Sequence, residues 1–360
     1  AKDTAGCRAL DRNFIVGGNM AKIITFGELM IRLQPFNYER FVQTDHLEFS
    51  FGGGEANVAV SLANYGLDVA YVTKLPTHTL GQAAVNSLRR YGVDTSLIVR
   101  GGSRVGIYFN EKGAAQRPSV CIYDRAHSAI AEAQASDFNW NRIFESADWF
   151  HFTGITPALG GEMPEVCLDA LKYCREHGIT VSCDLNYRGK LWTKQEAGKV
   201  MAELVPYVDV LIANEADAAD VFGIVGKGSD VESGKLNKLG YVSVAEQLVE
   251  RFGVKKVAIT LRTSLSAFDN LWAGMLYDAK TQKACFSTEY KVHIVDRVGG
   301  GDSFMGGLIY GFLNFDDEKA LCFAAAASCL KHTIYGDYNQ VTVAKVEALM
   351  KGDGSGRVSR

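Results

Sequence analysis

Apolar positions along the chain follow two rhythms. Short, nearly continuous apolar runs recur at KIITFGEL (22–29), VAYVTKL (69–75), DWFHFTG (148–154), TVSCDL (180–185), VDVLIAN (208–214) and VKKVAITL (254–261), as expected of strands buried on both faces. Between them lie stretches with apolar residues spaced three and four apart: NVAVSLANYG (57–66), GQAAVNSLRRYG (81–92), EVCLDALKYCREHG (165–178) and EAGKVMAELV (196–205). Strand alternating with helix predicts parallel βαβ units, an α/β fold whose sheet is covered on both sides. Several helices run into glycine, as in REHGIT, where a residue of positive φ closes a helix.

Two segments break the rhythm. Residues 37–53 and 96–125 are rich in β-branched and aromatic residues without a helical period. They predict a small β-sheet, formed by about 37–51 and 96–125, that projects as a lid over the carboxyl edge of the main sheet, where open α/β sheets bind ligands. Residues 1–19 carry no such pattern and read as a disordered leader, 20–350 as the folded α/β body, 351–360 as a flexible tail, and 227–240 as a mobile loop.

Charge narrows the class of partner. Acidic residues number 41 and basic residues 38, so no broad positive field favours nucleic acid or an anionic membrane, and any anion must be held locally. No apolar run approaches the roughly 20 residues of a spanning helix. The eight cysteines include no C-x-x-C pair, which fits free thiols in a reducing, cytoplasmic setting.

The chemistry concentrates in DRVGGGDSF (296–304). Amides of a glycine turn at a helix start point outward together and form an anion site, and a carboxylate in the first turn sits within reach of whatever they bind. If that anion is a phosphoryl group in transit, the carboxylate can take the proton of an attacking hydroxyl.

DRVGGGDSF resembles the C-terminal signature of the ribokinase-like (PfkB) carbohydrate kinases, and GGGEANVAVSLANYG (52–66) resembles their N-terminal signature, in the expected order and roughly 240 residues apart. The resemblance runs from Met20 onward and implies a ribokinase-like three-layer sandwich, with mostly parallel sheet and the β lid. It implies Asp302 as catalytic base and the amides of Gly299, Gly300 and Gly301 as the cradle for the transferred phosphoryl. Gly53 and Asn57 would meet substrate hydroxyls.

In detail the chain is similar to the 2-keto-3-deoxygluconate kinases of that family in GELMIRLQP, GIYF, the Y-x-R ahead of AHSA, GITPAL and D-x-NYR-x-x-LW. That likeness assigns Gly53, Tyr108, Tyr123, Arg125, Arg188 and Asp302 to a sugar acid, with Asp337 in addition. Arg125 and Arg188 are expected to converge on its carboxylate by paired hydrogen bonds. The implied reaction moves the γ-phosphoryl of ATP to the 6-hydroxyl of 2-dehydro-3-deoxygluconate.

Mg²⁺ is expected alongside ATP, with Asp184 and Asn186 of DLN and Asp217 of ANEAD acting on it through water, and Glu215 competing with Asp217 for that role. Asn214 is assigned to the nucleotide or to helix capping. Arg262 stands where many relatives carry a glycine loop and is expected to reach a phosphate. His127, His151 and His293 lack metal-ligand spacing and read as structural.

The alternatives are a ribokinase-like kinase acting on fructose and a non-catalytic sugar-acid sensor. A dinucleotide oxidoreductase is weak, because no G-x-G-x-x-G closes the first strand. A homodimer through the lid sheets is expected.

Overall fold

The computed structural model describes residues 21–226, 238–352 and 354. The expected leader, most of the 227–240 loop and most of the 351–360 tail lie outside the described residues.

The first strand, β1 (Lys22–Phe26), shows why its sequence is apolar throughout. Ile23 joins a core cluster on one face of the sheet, whereas Ile24 and Phe26 join a second cluster on the other. The chain then leaves this sheet as β2 (Met30–Gln34) and β3 (Glu48–Gly52) and returns through helix α1 (Gly54–Asn64) to β4 (Asp68–Val72). A two-residue pair, β5 (Lys74–Leu75) with β6 (Val99–Arg100), flanks α2 (Thr79–Arg89). Next come the hairpin β7 (Ile107–Glu111) and β8 (Val120–Asp124), the short helix α3 (Trp140–Ile143), β9 (Trp149–Thr153), α4 (Ile155–Ala158) and α5 (Met163–His177). The expected glycine closes α5: Gly178 has φ +69°.

The alternation continues through β10 (Thr180–Asp184), α6 (Lys194–Leu204), β11 (Val210–Ala213), α7 (Glu215–Phe222), α8 (Lys238–Phe252) and β12 (Lys256–Ser264). Three antiparallel strands follow, β13 (Asp269–Asp278), β14 (Lys283–Phe286) and β15 (Tyr290–His293), and then α9 (Gly300–Asn314), α10 (Asp317–Lys331) and α11 (Val343–Met350).

The main sheet is parallel across β4-β1-β9-β10-β11-β12 and antiparallel from β13 outward. Helices α1, α2, α9 and α10 cover one face and α5 to α8 the other, a three-layer sandwich. Burying rings such as Phe150 and Phe152, both on β9, stabilises the fold by roughly 1.5–3 kcal/mol each. No helix among the described residues is long and apolar enough to cross a membrane. The seven cysteines among them are free thiols.

The small sheet exists, but its membership differs from expectation. Its order is β3-β2-β7-β8, so residues 30–34, which follow directly on the first apolar run and lie outside the two segments expected to form the lid, are one of its two inner strands. Within 37–51 only residues from Glu48 onward are strand, and within 96–125 the pair at Val99–Arg100, β6, pairs with β5 instead. The chain leaves β1 at Gly27, where space is tight. A Cβ on Gly27 would lie 2.1 Å from the Glu55 carboxylate. That buried carboxylate is fixed by the Thr153 amide at 3.0 Å and by the Thr153 and Thr156 hydroxyls at 2.8 and 2.6 Å.

Candidate active site

A cleft of about 590 Å³ opens between the carboxyl edge of the main sheet and the lid. Apart from Glu215, all the residues singled out above as candidates for substrate, nucleotide, metal and catalysis line it. Lid strands alternate, so Tyr108 of β7 and Tyr123 of β8 face the cleft while Phe109 and Ile122 face away.

The two glycine-rich segments meet here. Gly53 caps α1, and a Cβ on it would lie 2.0 Å from the Glu28 carbonyl oxygen. One turn on, Asn57 Nδ2 donates to Asp302 Oδ2 at 2.7 Å. Asp302 lies in the first turn of α9, whose cap, Gly299, has φ +82°, a conformation that favours glycine. Burial, with Asp337 and Glu55 nearby, pushes the Asp302 carboxyl up to about 7 against the opposing effects of Asn57 and Arg188. Oδ2 is engaged by Asn57, which leaves Oδ1 toward Gly54 and the cleft.

The three glycine amides are not equivalent. Gly300 N donates to the Arg297 carbonyl at 3.3 Å, and a Cβ on Gly300 would strike the His332 ring at 2.6 Å. The Gly300 amide is thus engaged within the turn, and its α-carbon has no room for a side chain. Among the described residues no carbonyl accepts from the amides of Gly299 or Gly301.

The sugar-facing wall also differs from expectation. Arg125 is buried, and its guanidinium is already paired: Nε donates to Glu28 Oε2 at 2.7 Å and Nη2 donates to the same oxygen. Glu28 Oε1 accepts the Ser128 hydroxyl at 2.7 Å. Arg188 is exposed, donates to its neighbour's carbonyl at 3.1 Å, and has no carboxylate within ion-pair distance among the described residues. Of the two guanidiniums expected to converge on a carboxylate, Arg125 is already ion-paired and Arg188 is available. Tyr108 donates to both oxygens of Asp337, at 2.7 and 2.6 Å, and burial pushes its phenol well above the usual range. Tyr123 is half-buried beneath the Arg125 guanidinium, 5.3 Å from its ring centre, and burial pushes its phenol up to about 12.

Beyond the ends of β10 and β11, acidic groups crowd. Burial and the nearby Asp217 and Asp302 push Asp184 well above the carboxylate range, and burial pushes Asp217 up to about 6. Asn186, at φ +40°, turns its amide onto Asp184 Oδ1 at 3.2 Å. Asn214 caps α7 by accepting from the Asp217 amide at 2.8 Å. The Glu215 side chain lies outside the described residues. No cluster of three or more His, Cys, Asp or Glu able to hold a metal occurs among the described residues. Two hard carboxylates whose ionisation is disfavoured by burial do suit a divalent cation that keeps most of its waters.

Arg262 lies on β12, opposite Trp272, rather than in a loop. Beside it Arg297, half-buried, donates to the Ala267 carbonyl at 2.9 Å. Burial and the Arg262 charge lower its affinity for the proton. Arg297, Trp272 and Glu28 were missed by sequence reasoning, and only Arg297, a cation inside the glycine signature, carried a readable signal. Of the histidines, His151 is fully buried against Ser182 and pushed down to about 3 by burial, whereas His127 and His293 pair with Glu132 and Asp269.

Residues 20–343 match the pfkB family carbohydrate kinases. The chain belongs to this family. Within it, the 2-dehydro-3-deoxygalactonokinase of Haloferax volcanii is 34% identical over 337 residues, 93% of this kinase and 98% of that one. The crystal structure of 2-dehydro-3-deoxygluconokinase from Thermotoga maritima is 52% identical with a TM-score of 0.89, covering 93% of this chain and 99% of that chain. The fold alone is shared with a fructokinase from Xylella fastidiosa crystallised with bound ATP, 20% identical with a TM-score of 0.74, over 92% and 98% of the two chains. In all three the pfkB kinase is matched over nearly its whole described length.

Proposed function

We propose that this pfkB kinase transfers the γ-phosphoryl of ATP to the 6-hydroxyl of 2-dehydro-3-deoxygluconate. The observation that carries the reading is the joining of the two signatures at Asp302, a cleft-lining carboxyl near 7 with one oxygen held by Asn57. The acceptor follows from the likeness to the Thermotoga maritima enzyme and from Arg188, an unpaired guanidinium that suits a carboxylate.

Asp302 Oδ1 takes the proton of the 6-hydroxyl as the sugar oxygen bonds to phosphorus and the bond to the departing ADP oxygen breaks. The free amides of Gly299 and Gly301, at the positive end of α9, meet the charge that develops on the phosphoryl oxygens. Gly53 lets backbone approach the sugar, Asn57 orients the base, and Tyr108 and Tyr123 wall the acceptor from water. Arg125, held by Glu28, offers only its remaining edge, and Asp337 acts through Tyr108. Arg262 and Asn214 face the nucleotide. Mg²⁺, held through water by Asp184, Asn186 and Asp217, would offset phosphate charge.

A homodimer fits the lid's outer face, where Phe49, Leu33, Phe109 and Ile122 form one row across four strands. Phe49 is 49% and Ile122 51% exposed, and Val120, on the same strand as Ile122, is exposed too. The free thiols among the described residues and ATP use support a cytoplasmic setting.

ADP release measured over a panel of sugar acids and neutral sugars tests the reading. Turnover of 2-dehydro-3-deoxygluconate well above that of fructose is expected, and the reverse order would refute it. The Haloferax volcanii relative favours the galactonate epimer as a second acceptor, so the panel includes both.

A further inference from the structure

Arg32, on lid strand β2, is fully buried, and every face of its guanidinium is used. Nη1 donates to Asp337 Oδ1 at 2.5 Å and Nη2 to Asp296 Oδ2 at 2.6 Å. Nε and Nη2 both donate to Gln34 Oε1, at 2.9 and 2.5 Å.

The two aspartates belong to different segments, and each fixes a different part of the cleft. Asp296 opens the glycine turn: its Oδ1 accepts the Val298 amide at 3.1 Å and its Oδ2 the Gly336 amide at 3.1 Å. Asp337 receives the Tyr108 hydroxyl on both oxygens. Its backbone carbonyl backs onto Gly299 so closely that a Cβ there would lie 2.1 Å away.

We propose that Arg32 is a positioning residue that sets the glycine turn and the Tyr108 hydroxyl from one point, so that the phosphoryl cradle and the sugar-facing lid wall take up their working geometry together. This rests on the kinase reading above.

The chemistry of the fork supports it. A planar guanidinium reaches two carboxylates in fixed directions at once, which a lysine ammonium cannot. Stability alone does not call for such a group, because well-packed apolar side chains can replace a buried ion network at no net cost. What apolar replacements cannot supply is a defined distance between the two loops. Gln34 extends the link, donating to Glu48 of β3 at 2.6 Å.

The test uses Arg32→Lys and Arg32→Met in the full chain, with amide hydrogen exchange over 296–302 and 334–338 and steady-state kinetics with ATP and 2-dehydro-3-deoxygluconate. Arg32→Lys is expected to melt cooperatively yet exchange at least about 10-fold faster in both segments together. Its kcat should fall about 10-fold or more, its sugar-acid KM should rise several-fold, and its ATP KM should stay within about twofold. A residue that merely stabilised the fold would lower Tm without this split.

Asp296→Asn should reproduce mainly the kcat part and Asp337→Asn mainly the KM part. If Arg32→Met does not fold, Arg32→Lys decides. A folded Arg32→Lys with parental kinetics, or with only one segment loosened, overturns the proposal. Should the parent phosphorylate no sugar acid, the acceptor reading fails by itself, and joint loosening of the two segments still decides for or against Arg32.

Discussion

The two walls of the cleft handle charge in opposite ways. On the sheet-edge wall Asp184, Asp217 and Asp302 crowd together with few donors, and burial pushes all three carboxyls up. On the lid wall Arg32 is matched to Asp296 and Asp337, and Arg125 to Glu28, at hydrogen-bond distance. Both walls are buried, so burial alone does not separate them. The difference is compensation: groups left short of partners can exchange a proton or recruit a ligand, while saturated groups hold shape.

The largest effect that would break this comparison is at Asp302. Asp302→Asn should lower kcat by about 10³-fold, read by ADP release. In the parent, kcat should fall as pH drops below about 7, as Asp302 takes up its proton. Stability should move the other way. A carboxyl raised above its unfolded value contributes most below about pH 4 and loses that contribution as pH rises through about 7. Asp302→Asn should therefore melt higher than the parent at pH 8 and show little difference at pH 4. A lower melting point at pH 8 would remove Asp302 from the uncompensated class.

Next in size is Arg188, the unpaired guanidinium. Arg188→Ala should cut kcat/KM for the sugar acid by about 10- to 100-fold and leave any turnover of a neutral sugar nearly unchanged. Equal losses on both would place the carboxylate elsewhere.

Arg125 sharpens the contrast from the saturated side. Arg125→Met strands the buried Glu28 carboxylate and should cost about 3–5 kcal/mol in a denaturant titration. Arg125→Met with Glu28→Gln should recover most of that loss. A stable single variant with a large rise in sugar-acid KM would instead make Arg125 a direct clamp. The smallest effect is expected at Arg262: Arg262→Ala should raise the ATP KM only several-fold, since it lies exposed beside Arg297, which shares the same wall.

Much of the architecture was legible because it depends on local pattern. The doubly buried strands announce themselves as unbroken apolar runs, and the Gly178 stop and the two glycine signatures read directly. What stayed hidden was pairing across long stretches of chain. That Glu28 captures Arg125, or that Arg32 reaches Asp296 and Asp337, depends on how the lid docks, and no periodicity reports it. The exit of β2 was missed for a related reason. GELMIRL continues the apolar run of β1, so the pattern does not mark the break at Gly27, where the Glu55 carboxylate leaves no room for a side chain. Arg262 was read as loop because a missing glycine motif drew attention away from strand propensity.

The route of the chain from β1 to β2 limits how this enzyme can be re-engineered. An inner strand of the cover, β2, and β1, the strand next to the edge of the body's sheet, are joined by residues 27–29 alone. Recognition of a new acceptor therefore cannot be imported as a cassette: exchanging only 37–52 and 105–125 with a homologous kinase would leave the host's Met30–Gln34 threaded between foreign neighbours. A workable graft must cut at Gly27 and carry Glu55 with it, so that the donor's crossing point travels with the donor's cover.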